Sequence, residues 1–403
     1  MAEDDIVLKI DEYNKNGKKT IAMFCDVFYP SIDGVISVIN NLSIELKKYY
    51  NIAVCVPKHK GETYKSKDYL VIGAKSFKAP NLDYEYSLAP SKDKEFLKYL
   101  SLLRIDLIHF HSPFFMGRFA VKYAKKHNIP VVATFHSQYK KDFMATMHSR
   151  ILSNILLDNV VKTFNKTNLV FTLNKFCEET FRSYGLTVPI KIIGNATSMN
   201  KEIDKFQVKK VKEKFKLAKF ENVFLYVGRL VKVKNLQMTL KVMNELKKRG
   251  VNFVFICVGK GSQMRYLKRL THKYGLEKNV IFTGKIMDKR LIEALYAVSD
   301  LFIFNSTYDT EGLVVQEAAT KSVPSIVVKD SGPASRITDN HNGFVAENSV
   351  TAFANKICEI ISDKDNLKTV GLRAQEELPK SWDAVACEYK EEYDKLIMGE
   401  INK

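Results

Sequence analysis

Short apolar runs rich in β-branched and aromatic residues alternate with stretches of helical period from one end of this chain to the other, and few folds accept that alternation. In the first half the runs are Thr20 to Phe28, Ile52 to Val56, Asp106 to Phe110, Val131 to Phe135 and Leu169 to Leu173. The second half restarts with Val223 to Val227, Phe253 to Val258, Val280 to Thr283, Leu301 to Phe304 and Ser325 to Val328. The spacers carry helical repeats, such as Val38, Leu42 and Leu46, with Lys47 and Lys48 expected in the last turn where cations suit the helix dipole. Strands that need a helix between them are parallel, so an α/β chain with doubly wound sheets is predicted. At 403 residues the chain exceeds what one core usually organises, and two Rossmann-like domains are expected.

The domain boundary is expected in Ile193-Gly-Asn-Ala-Thr-Ser198, ahead of a lysine-rich stretch to about Lys219. That gives a first domain over 1–196, a second over 197–380, and a C-terminal amphipathic helix over 381–403 on Trp382, Val385, Tyr389, Tyr393 and Leu396. No cleavable signal and no apolar run of bilayer length is found, so a cytoplasmic protein is expected. Six scattered cysteines, without a C-x-x-C pair, read as reduced thiols in place of a disulfide frame or zinc site. The formal net charge of +18 requires a polyanionic partner: nucleic acid, an anionic membrane surface or phosphorylated ligands. The lysines are spread over every polar segment instead of lining an aromatic platform, so nucleic acid is not the expected partner.

Two segments of the second half suit a diphosphate. The run Val223-Phe-Leu-Tyr-Val-Gly-Arg-Leu-Val-Lys-Val-Lys-Asn235 drives a strand into Gly228, Arg229 and Lys234, and ligands of open α/β sheets bind at carboxyl ends of strands. The run Leu301 to Ala319 ends a buried strand near Asn305, turns through Asp309 and Glu311, and starts a helix at Gly312. Free amides at such a start bind anions, and Glu317 one to two turns on is placed to accept hydrogen bonds from a vicinal diol such as ribose. A solvated basic loop and helix-capping carboxylates are the plainer alternatives. Two weaker signals are discounted. Gly259-Lys-Gly261 lacks the third glycine of a dinucleotide fingerprint, Met264 standing there, and Asp363-Lys-Asp365 reads as a solvated turn.

In the first half, Asp26-Val-Phe-Tyr-Pro-Ser-Ile-Asp-Gly-Val35 breaks a strand into a turn, with Gly34 the point of backbone approach to a phosphate. His109, His111 and His136 end parallel strands, and His109 is expected to face away from His111. No carboxylate or thiol completes a metal cluster around them. The apolar stripe Phe143, Met147, Ile151, Ile155, Val160 and Phe164 is expected to be core, with a lipid-facing surface as the alternative.

The order strand-Gly-Arg-x4-Lys, Val258-Gly-Lys-Gly261, Phe282-Thr-Gly284 and Gly-Leu-Val-x-x-Glu-Ala resembles family 4 of the glycosyltransferases, from about Thr20 to Tyr393. The Pro-x-x-Asp-Gly-Val form is similar to its glycolipid-synthesising branch. The resemblance implies the GT-B fold, two Rossmann-like domains facing a cleft with the C-terminal helix crossing back to the first. It implies a retaining hexosyl transfer from a nucleotide sugar, UDP-glucose or similar, to a membrane lipid or lipid-linked acceptor at the inner face of the membrane. A polysaccharide or protein acceptor, or sugar-nucleotide binding without turnover, is the alternative. Arg229, Lys234, His136 and Asp309 are then catalytic, while Gly34, Gly228, Gly284, Glu311, Gly312, Leu313, Val314 and Glu317 join the two cations in donor binding. His111 and Lys141 fall on the acceptor side. Family members carry Glu where this chain has Asp309, one methylene shorter, and Glu311 is a partial substitute. The nucleotide sugar is a substrate, so no cofactor and no metal are expected.

Overall fold

The fold is described from a computed structural model, which covers residues 3–31, 34–78, 85–86 and 89–399. Asp33 of the Asp-Gly-Val motif lies outside the described residues. The chain forms two compact units, one of Met1–Asn195 with Trp382–Lys403 and the other of Ala196–Ser381.

The first unit begins with α1 (Glu3–Lys15), β1 (Thr20–Phe24), α2 (Gly34–Leu46), β2 (Asn51–Pro57), β3 (Leu70–Ala74), β4 (Phe77–Lys78), β5 (Glu85–Tyr86) and α3 (Lys94–Leu102). It continues with β6 (Leu107–Phe110), α4 (Phe115–His127), β7 (Val131–Thr134), α5 (Tyr139–Met147), α6 (Arg150–Phe164), β8 (Leu169–Thr172), α7 (Lys175–Ser183) and β9 (Ile190–Ile192). Seven strands pair in parallel in the order β3-β2-β1-β6-β7-β8-β9. The order reverses between β1 and β6, the switch point at whose carboxyl ends open α/β sheets bind ligands. Buried side chains fill β1, β2, β3, β6, β7 and β8 on both faces, which is why these strands read as unbroken apolar runs.

The second unit carries α8 (Lys205–Lys214), β10 (Asn222–Val227), α9 (Leu236–Lys248), β11 (Phe253–Val258), α10 (Met264–Lys273), β12 (Val280–Gly284), α11 (Lys289–Ala297) and β13 (Leu301–Phe304). Then follow α12 (Leu313–Thr320), β14 (Ser325–Val328), β15 (Phe344–Ala346), α13 (Val350–Ser362) and α14 (Lys364–Glu377). Its six strands run in the order β12-β11-β10-β13-β14-β15, again all parallel, with the switch point between β10 and β13. The last helix, α15 (Trp382–Ile397), packs on α2 and β6 of the first unit. There Tyr50 donates its hydroxyl to Asp394 at 2.6 Å.

The β3, β9 and β15 segments were not expected as strands: Leu70–Ala74 and Phe344–Ala346 contain or adjoin glycine, and Ile190–Ile192 is a three-residue edge. Helix α2 ends at Leu46, so Lys47 and Lys48 stand just beyond its last turn and pair with Asp68 and Asp383. Asp363 caps α14, accepting from the amide of Asn366 at 2.9 Å.

Only half of the stripe in 143–164 is core. Leu157, Val160, Val161 and Phe164 are buried, but Ile151 is 76% exposed and Ile155 53%, with Met144, Met147 and Leu152 also exposed. The reason is that the core lies under the C-terminal half of α6, and the N-terminal half with α5 projects an apolar face that no other described element covers. Among the described residues, no helix is long and apolar enough to cross a membrane.

Candidate functional site

Three glycine-bearing loops at the carboxyl ends of β10, β11 and β12 are laced together by their backbones. The Gly228 amide donates to the Val258 carbonyl at 3.0 Å, Leu230 to Lys260 at 2.9 Å, and Gly259 to Gly284 at 2.9 Å. A Cβ on Gly259 would lie 1.9 Å from the Gly228 carbonyl oxygen, and one on Gly261 2.3 Å from that of Leu230. The Val258-Gly-Lys-Gly261 sequence is therefore a packing requirement: only glycine lets the second loop support the one that bears Arg229 and Lys234. Gly259 also takes φ +141°, which side chains rarely adopt.

Lys234 and Asp309 come from loops on either side of the switch point, and the fold brings them together. The Lys234 ammonium forms an ion pair with Asp309 Oδ1, and both side chains are largely buried. Asn305, at the end of β13, fastens the two loops: its amide donates to the Asn235 carbonyl at 3.1 Å, and its side-chain oxygen accepts from Thr239 at 2.8 Å. Asn235 can close its turn because asparagine tolerates the left-handed region, here φ 55°. The second oxygen of Asp309 is buried and has no hydrogen-bond partner among the described residues. A carboxylate oxygen buried without a donor costs free energy, which a ligand hydroxyl placed against it would recover. Arg229 is exposed at its loop, and its carbonyl accepts from the Tyr226 hydroxyl at 3.2 Å.

Gly312 starts α12 with φ +74°, and a Cβ there would press on the Phe304 ring at 2.9 Å. Leu313 and Val314, in the first helical turn, are partly exposed, so the free amides of that turn are not sealed in the core. Glu311 is differently placed from the other acidic residues. It is buried, receives the Gln316 amide at 3.2 Å and pairs with Arg336 at 3.4 Å, while Arg336 also donates to the Leu378 carbonyl. Glu317 accepts the Tyr296 hydroxyl at 2.8 Å, and burial raises its carboxyl above the ordinary value. Gly284 ends β12 with φ +75°.

In the first unit, Asp26 organises the switch point. Its carboxylate accepts from the Ser112 hydroxyl at 2.6 Å and from the amides of Phe114 and Met116 at 3.2 and 2.9 Å, which fixes the start of α4. Burial pushes this carboxyl up to about 6 against those hydrogen bonds. Leaving the ladder to make these contacts is what ends β1 at Phe24 and not at Phe28. Gly34 opens α2, and a Cβ there would meet nothing within 4 Å.

His111 Nδ1 and His136 Nε2 are hydrogen-bonded at 3.0 Å, with rings stacked. Burial lowers His136 to about 3 and His111 well below its ordinary value, so both are neutral at physiological pH. His136 is therefore a neutral hydrogen-bonding group and not a cation toward phosphate. His109 corrects the sequence expectation. Residues two apart on a strand share a face, and its ring lies 4.0 Å from that of His111. Both its nitrogens are taken, by Tyr393 of α15 at 2.6 Å and Thr134 at 2.7 Å. Lys141 stands exposed on α5, its charge disfavoured by partial burial. Sequence reasoning missed Asp26, Tyr296, Asn305 and Arg336. Asp26 and Asn305 alone carried a signal, as polar residues closing apolar strands.

Two parallel, doubly wound units with helices on both faces are the architecture of the GT-B glycosyltransferases. Solved structures superpose on nearly the whole chain: sucrose-phosphate synthase from Thermosynechococcus elongatus, with TM-score 0.78 and 19% identity, covers 95% of this chain and all of its own. Anabaena Alr3699/HepE in complex with UDP gives 0.75 and 17% over 94% of this chain and all of its own. Residues 32–201 match the model described as Glycosyltransferase Family 4, and 207–377 that of Glycosyl transferases group 1. The chain belongs to family 4 of the glycosyltransferases. Among named relatives, the alpha-monoglucosyldiacylglycerol synthase of Acholeplasma laidlawii is 25% identical over 80% of this chain and 84% of its own length. That of Streptococcus pneumoniae is 24% identical over 76% of this chain and 70% of its own.

Proposed function

We propose that this glycosyltransferase moves a hexosyl group from a nucleotide sugar, UDP-linked, to a membrane lipid or lipid-linked acceptor, with retention of configuration and without a metal. The observation that carries the donor side is the meeting of Lys234 and Asp309 at the β10–β13 switch point, beside the first turn of α12. An ammonium, the guanidinium of Arg229 and helix amides supply the charge that a departing diphosphate requires. The unsatisfied oxygen of Asp309 suits a hydroxyl of the transferred sugar, and Glu317 suits the ribose. Glu311 is committed to Arg336 and supports the loop in place of contacting sugar.

In the proposed step the acceptor oxygen bonds to the anomeric carbon on the face from which the diphosphate leaves. The bond between that carbon and the phosphate oxygen breaks, and the acceptor's proton passes to the departing oxygen. In this reading neutral His136 enters as a hydrogen-bonding group and not as a cation, and Lys141 and His111 belong to the acceptor side. UDP is favoured because Alr3699/HepE was solved with UDP and with UDP-glucose, and the lipid acceptor because the relatives are diacylglycerol glycolipid synthases.

A peripheral place on the cytoplasmic leaflet is part of the same reading. The exposed apolar face of α5 and α6 carries Lys140, Lys141 and Arg150 at its margins, and a cationic rim around an apolar face complements an anionic leaflet. The deciding experiment incubates purified protein with UDP-glucose and mixed vesicles of diacylglycerol or monoglycosyl-diacylglycerol, and reads the product's anomeric configuration by NMR. An α-linked glycolipid formed in the presence of chelator, and absent with Glu317→Ala, is expected. Donor binding with no transfer to any lipid, polysaccharide or protein acceptor overturns the assignment.

A further inference from the structure

Tyr296 is completely buried at the end of α11, its ring 5.6 Å from that of Phe302. Its hydroxyl donates to Glu317 Oε2 at 2.8 Å. A phenol that is sealed from water needs a partner, and this one has taken a single oxygen of a carboxylate whose side chain is otherwise partly open. Oε1 of Glu317 has no hydrogen-bond partner among the described residues. The arrangement locks a flexible glutamate by one oxygen and presents the other.

We propose that Tyr296 is a positioning residue for recognition of the donor's ribose: by holding Oε2 it fixes the Glu317 carboxylate so that Oε1 accepts from the vicinal diol of a nucleoside diphosphate. The proposal rests on the reading of Glu317 as the ribose acceptor. A rigid acceptor discriminates against a nucleotide that lacks one hydroxyl, because its fixed oxygen is then left unpaired, whereas a mobile one turns to water. Tyr296 thereby sets the preference for ribose over deoxyribose without touching the nucleotide.

Calorimetric titration of the full chain with UDP and GDP, each beside its 2′-deoxy counterpart, and with inorganic pyrophosphate, tests this. The wild-type protein is expected to bind one ribonucleotide about tenfold more tightly than its deoxy form. Tyr296→Phe keeps the ring and removes only the donor. It is expected to weaken ribonucleotide binding roughly three- to tenfold, to shrink the ribose preference, and to leave pyrophosphate binding unchanged, which also certifies the folded site. In turnover the donor KM rises while kcat holds. A variant that binds pyrophosphate as before and keeps the full ribose preference overturns the proposal. Wild-type protein that binds a nucleoside diphosphate with no ribose preference removes Glu317 from the ribose and the proposal with it. Protein that binds neither nucleotide nor pyrophosphate overturns the nucleotide-sugar reading itself.

Discussion

Replacing Ile151 and Ile155 together by serine separates membrane docking from folding. Ile151 is 76% and Ile155 53% exposed. Full burial of an isoleucine side chain contributes about 2 kcal/mol, so seating the exposed parts in a leaflet is worth about 1.5 and about 1 kcal/mol. The double variant should lose about 2.5 kcal/mol of partitioning, roughly a 70-fold fall in the vesicle-bound to free ratio. Because neither side chain is in the core, the thermal midpoint should move by no more than about 2 °C. Sedimentation with phosphatidylserine-containing vesicles at low salt reads the first quantity and differential scanning fluorimetry the second. Lys140→Gln with Lys141→Gln should also weaken binding, by about 1 kcal/mol each, and that loss alone should vanish at high salt. If the serine variant sediments with vesicles as the wild type does, the exposed face of α5 and α6 is not the membrane surface. A midpoint lowered by many degrees would mean the stripe is core after all.

Lys234→Ala should cut kcat/KM ten- to a hundredfold, as should Arg229→Ala, because hydrogen bonds to charged groups contribute ~1.5–3 kcal/mol each. Lys234→Ala also leaves Asp309 unpaired, so it should lower the urea midpoint, and adding Asp309→Asn should restore stability but not activity. Asp26 gives a pH signature. Its folded carboxyl keeps its proton up to about pH 6 against an ordinary 3.8, so its stabilising effect is complete below pH 4 and lost as pH rises through 6. Urea titrations at pH 4 and pH 7 should show the wild-type advantage over Asp26→Asn shrinking by about 3 kcal/mol, and an advantage that grows with pH refutes the burial argument. Gly259→Ala should destabilise the second unit by several kcal/mol, since its methyl group meets a backbone oxygen at 1.9 Å; a near-native urea midpoint would show that the loops are not locked.

The doubly wound fold was legible because parallel strands buried on both faces leave unbroken apolar runs, and ten of these were readable. The strands that escaped are three sheet edges, Leu70–Ala74, Ile190–Ile192 and Phe344–Ala346, two of them interrupted or bordered by glycine, and the two-residue antiparallel pair Phe77–Lys78 and Glu85–Tyr86, where pairing overrides composition. In the candidate site, Arg229, Lys234, Asp309 and Glu317 stood out because charged groups after an apolar strand are rare and local. What holds them was not legible. The Asn305 bridge, the Tyr296 hydroxyl and the Arg336 partner of Glu311 are set by neighbours 21 to 70 residues distant, and no local pattern encodes such pairs. The stripe of 143–164 shows the converse: one helical period ran through core and surface alike, because period reports which side is apolar and not what stands opposite it.

Helix α15 also bears on the order in which the chain is made. Tyr393 satisfies a nitrogen of His109 in the middle of the first sheet, although 284 residues of sequence separate the two. During synthesis, every residue of the second unit leaves the ribosome before that partner does. The second unit is thus free to complete its core while the first waits with an open seam over α2 and β6. A nascent chain truncated ahead of Trp382 should hold one finished unit and one unfinished one, so the first unit to be translated is the last to close.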